Sequence, residues 1–355
     1  MQEMAPTPRK TLMPHPSAAS RKRRNAPVDL RAAGSGIVAL LLIGLGLLSL
    51  PNMLKNEIVV AAKEPSKPAF PITVDPRNET INEDPAVDAL FGESSQELEA
   101  AASLADTAVT WLANAVTSIP GYSQIAGSDI VFVDIKSGYR EEEVARAFGL
   151  ALGWSKAEQE AFLEQVHTTA PELTEGEFVP GTYMVSSAAN ASYVQELLSD
   201  RYVRDIAARY TPEAEAALPL QDALTIASLL QRETRDPSEM RLISGIIWNR
   251  LWSGMNLQID ATLQYAKASK GGTKSWWPVP VPADKYIKSE YNTYQNAGLP
   301  PGPISNPSTE AILAALNPKK TDCLFYFHDR RGEMFCSPDY AGHVRALKKS
   351  YGQGK

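Results

Sequence analysis

Ala227-Ser228-Leu229-Leu230-Gln231-Arg232-Glu233-Thr234 is the stretch on which the reading of this chain turns. Leu224, Ala227 and Leu230 recur at helical spacing, which predicts a helix with one buried face. Glu233 falls near its C-terminal end, ahead of a break at Pro237. A second helix is predicted to follow, with Asp236 as N-cap, Pro237 at the first position and Glu239 completing a capping box. It runs to about Trp252 and stops at Gly254. Residues 255–262 then alternate apolar and polar with period two, so that Gln258, Asp260 and Thr262 are expected on one face of a short extended segment. A carboxyl group at a helix end, facing a polar stripe, is a candidate acid–base site. A lone Glu in a helix is, on pattern alone, more often a solvated surface residue.

Working outward, the 355-residue chain has room for about two domains with real cores. Its net charge of −6 hides an asymmetry. Residues 1–31 carry Arg9, Lys10, Arg21, Lys22, Arg23, Arg24 and Arg31 against only Glu3 and Asp29, in a Pro-, Ser- and Ala-rich context that reads as a disordered cytoplasmic tail. Residues 32–54 contain no charged side chain; at about 1.5 Å per residue they would reach roughly 34 Å, enough for a bilayer core of about 30 Å. This predicts a single transmembrane helix. A cleaved signal peptide is the competing reading, with residues 59–62 as the one weak cleavage candidate. The basic cluster before the span places the N-terminus in the cytoplasm and everything after Lys55 on the outer side of the cytoplasmic (inner) membrane. The position of the basic tail favours this orientation signal over a nucleic-acid partner, and none is read.

Residues 55–93 are Pro-rich and are expected to form an extended stalk, followed by a helical spacer over 94–127, with the helix itself at 94–116. From 128 to 200 the pattern is strand, helix, helix, strand. Residues 129–135 read as a buried strand, Lys136-Ser137-Gly138 as a turn and 141–152 as an amphipathic helix. Residues 155–166 read as a second helix capped by Ser155 and Glu158, and 175–185 as a strand and turn. Residues 201–355 complete the chain as a mixed α+β domain, in which Pro307 is expected to open a helix, behind an Asn306 cap, that runs to about Leu316. Near its end, 323–328 and 333–336 flank Asp329-Arg330-Arg331-Gly332, a hairpin signal. With the turn at Arg330-Arg331, Phe325 would lie opposite Cys336 and Cys323 diagonal to it, so a disulfide would need a bulge or a register shift. Two Cys and scattered His do not supply the three or four ligands of a zinc site, and no metal or cofactor is read.

Several segments occur in an order that resembles the endolytic murein transglycosylase (YceG-like) family. They are Ala227-Ser228, Glu233-Thr234, Asn249-Arg250-Leu251, Gly254-Met255, Leu257-Gln258, Asp260, Thr262, Tyr291-Asn292-Thr293-Tyr294, Gly298 through Ile304 and Asn306-Pro307. The resemblance covers about 220–345. It implies a single N-terminal transmembrane helix, a small LysM-like α/β subdomain over 128–200 and a mixed α+β catalytic domain over 201–355. Gly176, Pro180 and Thr182-Tyr183 resemble the closing motif of that subdomain, which either binds glycan or serves as a packing platform. His343, in Ala341-Gly342-His343-Val344-Arg345, resembles the family's closing helix, and neither it nor His328 is assigned to catalysis.

The resemblance further implies a lytic transglycosylase: the β-1,4 bond between N-acetylmuramic acid and N-acetylglucosamine is cut by the muramic C6 hydroxyl, leaving a 1,6-anhydro end. Such chemistry needs one carboxyl group and no carboxylate nucleophile. Glu233 aligns with the family's catalytic Glu. Its pKa should rise toward neutrality through desolvation by neighbours such as Ile226, Leu229 and Leu230, while Arg232 and Arg235 leave the helix on other faces. Gln258, Asp260, Tyr291, Asn292, Thr293, Tyr294 and Asn306 are candidate substrate-positioning residues, and Trp276 and Trp277 candidate stacking platforms. Hydrophobic packing is the plainer role for the tryptophans, and a turn-stabilising role for Asp260. The implied partners are peptidoglycan glycan strands, the membrane and peptidoglycan synthases. Two other classes stay open: a water-using muramidase in which Asp260 or another carboxyl group is essential, and a non-catalytic glycan-binding scaffold.

Overall fold

A computed structural model describes residues 67–91, 129–170, 173–272 and 274–352, all within one unit spanning 54–355. The basic tail, the transmembrane helix, the start of the stalk and the helix at 94–116 lie outside the described residues. No described helix is long and apolar enough to cross a membrane. The fold is α+β. In chain order its elements are β1 (Val74–Asp75), β2 (Thr80–Ile81), α1 (Pro85–Leu90), β3 (Ile130–Ile135), α2 (Glu141–Leu152), α3 (Lys156–Thr169), β4 (Gly181–Ser186) and α4 (Ala191–Asp205). They continue with α5 (Pro212–Ala217), α6 (Leu220–Glu233), α7 (Pro237–Trp252), α8 (Asp260–Ser269), α9 (Thr309–Leu316), β5 (Phe325–His328), β6 (Met334–Ser337) and α10 (Tyr340–Tyr351). Among the described residues the strands pair as three separate antiparallel ladders: β1 with β2, β3 with β4 and β5 with β6.

Helix α6 is the hub. Residues 223 to 230 are buried in an unbroken run, so the helix is enclosed on every side through its centre. Helices α7 and α9 pack on it and on each other. Each fully buried Leu of this core contributes about 1.5–3 kcal/mol of transfer free energy. The polar residues inside the run are satisfied locally: Thr225 Oγ1 donates to the Gln221 carbonyl (2.7 Å) and Ser228 Oγ to the Thr225 carbonyl (2.7 Å). Gly245 lets α7 pass against the chain at Lys319, where an added Cβ would stand 2.1 Å from the Lys319 carbonyl oxygen.

Strands β3 and β4 with α2 and α3 form the strand–helix–helix–strand unit read from the sequence. Both halves of the capping box at Ser155 and Glu158 are present. Val133 and Ile135 are buried while Asp134 is exposed, so the strand is one-sided at its C-terminal half and not buried on both faces.

Four expectations are corrected. From Lys67 onward the supposed stalk is folded onto the domain. Phe70 and Val74 belong to the core, Thr73 N–H donates to the Leu316 carbonyl (3.1 Å), and Asp88 pairs with the buried Arg241 at 2.7 Å. A Pro-rich composition stiffened this segment without keeping it from packing. Residues 255–262 are not an extended strip: Gln258 adopts φ +51° and Asp260 starts α8, which turns Thr262 into the core. The helix after Pro307 is capped by Ser308, whose side chain accepts from Ala311 N–H, and not by Asn306. The capping box at Asp236 is half made. Asp236 accepts from Ser238 and Glu239 N–H, but the Glu239 carboxylate is engaged elsewhere.

The β5–β6 register is shifted by one from the expectation, with Tyr326 opposite Cys336 and Phe325 opposite Ser337. The turn spans Asp329 to Gly332, where Gly332 takes φ +82°, and this longer loop moves every pair by one position. Cys323 and Cys336 form a disulfide, their Cα atoms 5.8 Å apart.

Candidate active site

The α6–α7 junction brings three acidic and hydroxyl side chains together. Thr234, the C-cap of α6, is extended, so the chain leaves the helix at Glu233 and re-enters α7 after three residues. Thr234 Oγ1 donates to Glu239 Oε2 (2.7 Å), and His328 Nε2 lies 3.2 Å from that same oxygen. Residues two apart on a strand share a face, so β5 presents Tyr326 beside His328. Tyr326 donates its phenol hydrogen to Glu233 Oε2 at 2.8 Å.

Burial pushes the Glu233 carboxyl above its ordinary range. The Tyr326 hydrogen bond opposes this, the Asp260 charge adds to it, and His328 and Arg250 pull back weakly; the net direction is up. Arg232 does not pair with Glu233. Its guanidinium lies 3.7 Å from the Trp277 ring centre, and Arg235 is exposed.

Opposite the α6 end, Leu257 and Ile259 are buried and flank Gln258, whose left-handed backbone turns its side chain outward. That conformation costs a non-glycine residue about 1–2 kcal/mol. It is held by Gln258 N–H donating to the Thr293 carbonyl (3.1 Å) and Ile259 N–H to Thr293 Oγ1 (3.0 Å). Asp260 is exposed at the first turn of α8, where the helix dipole favours a carboxylate, and accepts from the Tyr294 phenol at 2.6 Å. Arg250 straps the two sides together. Its Nε donates to the Leu324 carbonyl at 2.7 Å, at the base of the hairpin, and its Nη1 to the Leu257 carbonyl.

The structure thus gathers Glu233, Gln258, Asp260 and Tyr294 around one site and leaves the other candidates in supporting positions. Asn292 is fully buried; its amide donates to the Lys285 (3.1 Å) and Ile287 (2.8 Å) carbonyls. Thr293 is buried and bonded to Thr262 Oγ1 at 2.9 Å. Both shape the loop and offer a sugar no surface, which corrects their reading as substrate contacts.

Asn306 is likewise buried and acts as a brace. Its Oδ1 accepts from Gly176 (3.0 Å) and Phe178 (2.8 Å) N–H, while its Nδ2 donates to the Tyr139 carbonyl (2.9 Å) and Glu175 Oε1 (3.1 Å). Gly176 (φ +99°) has no room for a side chain there, because a Cβ would meet Pro303 at 2.6 Å. Tyr291 is half-buried against Tyr265, ring centres 4.7 Å apart. Trp277 packs on the core and donates to Glu143 Oε2 (3.1 Å), whereas Trp276 is half-buried along an open groove of about 430 Å³ between α2 and α3.

Sequence reasoning missed Tyr326, Arg250 and the Glu239–His328 pair as parts of the site. The alternation Phe325-Tyr326-Phe327-His328 could have set Tyr326 and His328 on one face, but nothing in the spacing says that this face meets α6.

Comparison with known proteins points the same way. A family profile described as YceG-like matches residues 97–349. An endolytic murein transglycosylase of Streptococcus pneumoniae (serotype 2, strain D39) is 28% identical over 238 residues, covering 59% of this chain and 43% of that protein. One from Bacillus subtilis (strain 168) is 37% identical over 126 residues, covering 36% and 33% respectively. The chain therefore spans less than half the length of these curated relatives. The crystal structure of a YceG-like protein from Listeria monocytogenes superposes with a TM-score of 0.52 at 24% identity, covering 63% of this chain and 81% of that one, a likeness of fold. The profile takes in most of the chain, and the chain belongs to the YceG-like family.

Proposed function

We propose that this chain is a membrane-anchored endolytic lytic transglycosylase acting on peptidoglycan glycan strands. The observation that carries the reading is Glu233: a carboxyl group lifted by burial, at a helix end, next to the exposed Asp260 and the outward-turned Gln258. A lifted carboxyl group is protonated at a pH where an ordinary one is not, which a general acid requires. Glu233 gives its proton to the glycosidic oxygen as the bond to the muramic anomeric carbon breaks. The carboxylate then takes the proton of the C6 hydroxyl, whose oxygen bonds to that carbon and closes the 1,6-anhydro ring. Asp260, kept in place by Tyr294, and Gln258 position the sugars. The similarity to relatives named endolytic murein transglycosylase supports this substrate and reaction.

The uncharged stretch 32–54 supports anchoring in the cytoplasmic membrane, with 55–355 on its outer side, where glycan strands and their synthases are met.

Mass spectrometry of muropeptides released by the full chain tests the reaction. Anhydro ends support the proposal; reducing ends would make the enzyme a hydrolase. No release from either sacculi or uncross-linked glycan would leave a binding scaffold.

A further inference from the structure

Tyr326 is the one hydroxyl that touches Glu233 among the described residues, and its setting is restrictive. Tyr326 is half-buried, and burial, followed by the adjoining Glu233, pushes its phenol well above the ordinary range, so it stays neutral. A neutral phenol has one hydrogen, and here it is spent on Glu233 Oε2. The strand that carries it is braced on several sides. The Cys323–Cys336 disulfide ties its partner strand at the residue opposite Tyr326, Arg250 holds the Leu324 carbonyl, and the Tyr351 phenol donates to the His328 carbonyl.

We infer that Tyr326 is the positioning residue of the acid: by occupying Oε2 as a donor it confines the acidic proton of Glu233 to Oε1. The inference rests on Glu233 being the acid. A carboxylic acid carries its hydrogen on one oxygen, and an oxygen that already receives a donor is the poorer place for it. Oε1 has no hydrogen-bond partner among the described residues. After the proton has left Oε1 for the glycosidic oxygen, the bond at Oε2 persists and holds the carboxylate in place to take the C6 hydroxyl proton back at Oε1. No other donor need move during the cycle.

The groups that bear on Glu233 from each neighbouring element are Tyr326 and His328 on β5, Asp260 on α8, Arg250 on α7, Arg232 on α6 and Tyr294 on the loop before Gly298. Of these, Tyr326 makes the hydrogen bond, and a bond to the ionised form holds the pKa down against burial. Its removal and a mere loosening of packing therefore move Glu233 in opposite directions. Tyr326→Phe keeps the ring and deletes the donor, so the carboxyl rises further. Water admitted by a damaged site would lower it instead.

The test is titration of the full chain labelled at glutamate Cδ with carbon-13, the Glu233 signal being identified by its loss in Glu233→Gln. Tyr326→Phe is expected to raise the Glu233 pKa, and 3,5-difluorotyrosine at 326, a stronger donor, to lower it. On peptidoglycan, Tyr326→Phe should lower kcat by about tenfold or more with little change in KM, and carry the alkaline limb of the pH profile upward. An unchanged or lowered pKa in Tyr326→Phe overturns the inference, whatever the activity. Opposite shifts in the two variants without glycan release by the parent would uphold the hold of Tyr326 on Glu233 and sink the transglycosylase reading alone.

Discussion

Glu175 and Glu233 are both carboxyl groups lifted above the usual range chiefly by burial, yet they sit at two differently built places. Glu175 lies where the strand–helix–helix–strand unit meets the helical core. It accepts from Glu141 N–H (3.1 Å) and Asn306 Nδ2 (3.1 Å), with Glu141 and Glu142 pushing it further up and Arg140 opposing. Its partners come from both sides of the junction, and it closes that junction. Among the described residues the Glu233 carboxyl has a single hydrogen-bond partner, Tyr326, and its neighbours Gln258 and Asp260 are exposed. A displaced pKa marks candidates for chemistry and structural posts alike. What separates them is whether the surroundings leave a surface for a ligand.

Substitutions can break or sharpen that contrast. Glu233→Gln has the largest expected effect, a fall in glycan-releasing activity of about 10²-fold or more, measured on purified peptidoglycan with the fold checked by circular dichroism. Asn306→Ala should act on stability, costing roughly 3–5 kcal/mol in denaturant unfolding, because two backbone N–H groups and Glu175 lose their partner together. Gly245→Ala drives a methyl group onto the Lys319 carbonyl and should cost about 1–3 kcal/mol by the same assay.

Asp260→Asn removes a charge that raises Glu233, so the Glu233 pKa should fall and the alkaline limb of the pH–rate profile should move to lower pH. Glu175→Gln has the smallest effect. For a carboxyl group raised in the folded state, the stability it contributes is complete below the unfolded value of about 4.3 and is lost as pH rises through the folded value. The Gln variant should therefore flatten the decline of Tm with rising pH and melt no lower than the parent at neutral pH. A Tm that falls at neutral pH would show that Glu175 is held as a needed charge.

Much of the frame was legible because local signals decide it. Ser155 with Glu158 and Asp236 with Pro237 fixed helix starts from a few adjacent residues, and Leu224, Ala227 and Leu230 marked one buried face of α6, although the enclosure of 223–230 on every side was not legible. Glu233 was legible through resemblance; its pattern alone reads as surface. The misreadings share a cause, which is that long-range partners overrode local rules. Asn306 looked like a cap and is a brace reaching residues 128 and 130 positions away. Asn292 and Thr293 looked like sugar ligands; instead Thr293 holds the backbone that bends Gln258 outward, and Asn292 ties down the turn at Lys285 and Ile287. Tyr326 was invisible because a strand's facing is readable from its sequence, while the element it faces is not.

The most direct measurement sets Glu233→Gln beside Glu175→Gln in the same full chain, following release of muropeptides and Tm together at neutral pH. Glu233→Gln is expected to fold and to release glycan about 10²-fold or more below the parent, while Glu175→Gln folds and keeps the parent's rate. Release by Glu233→Gln at the parent's rate would contradict it.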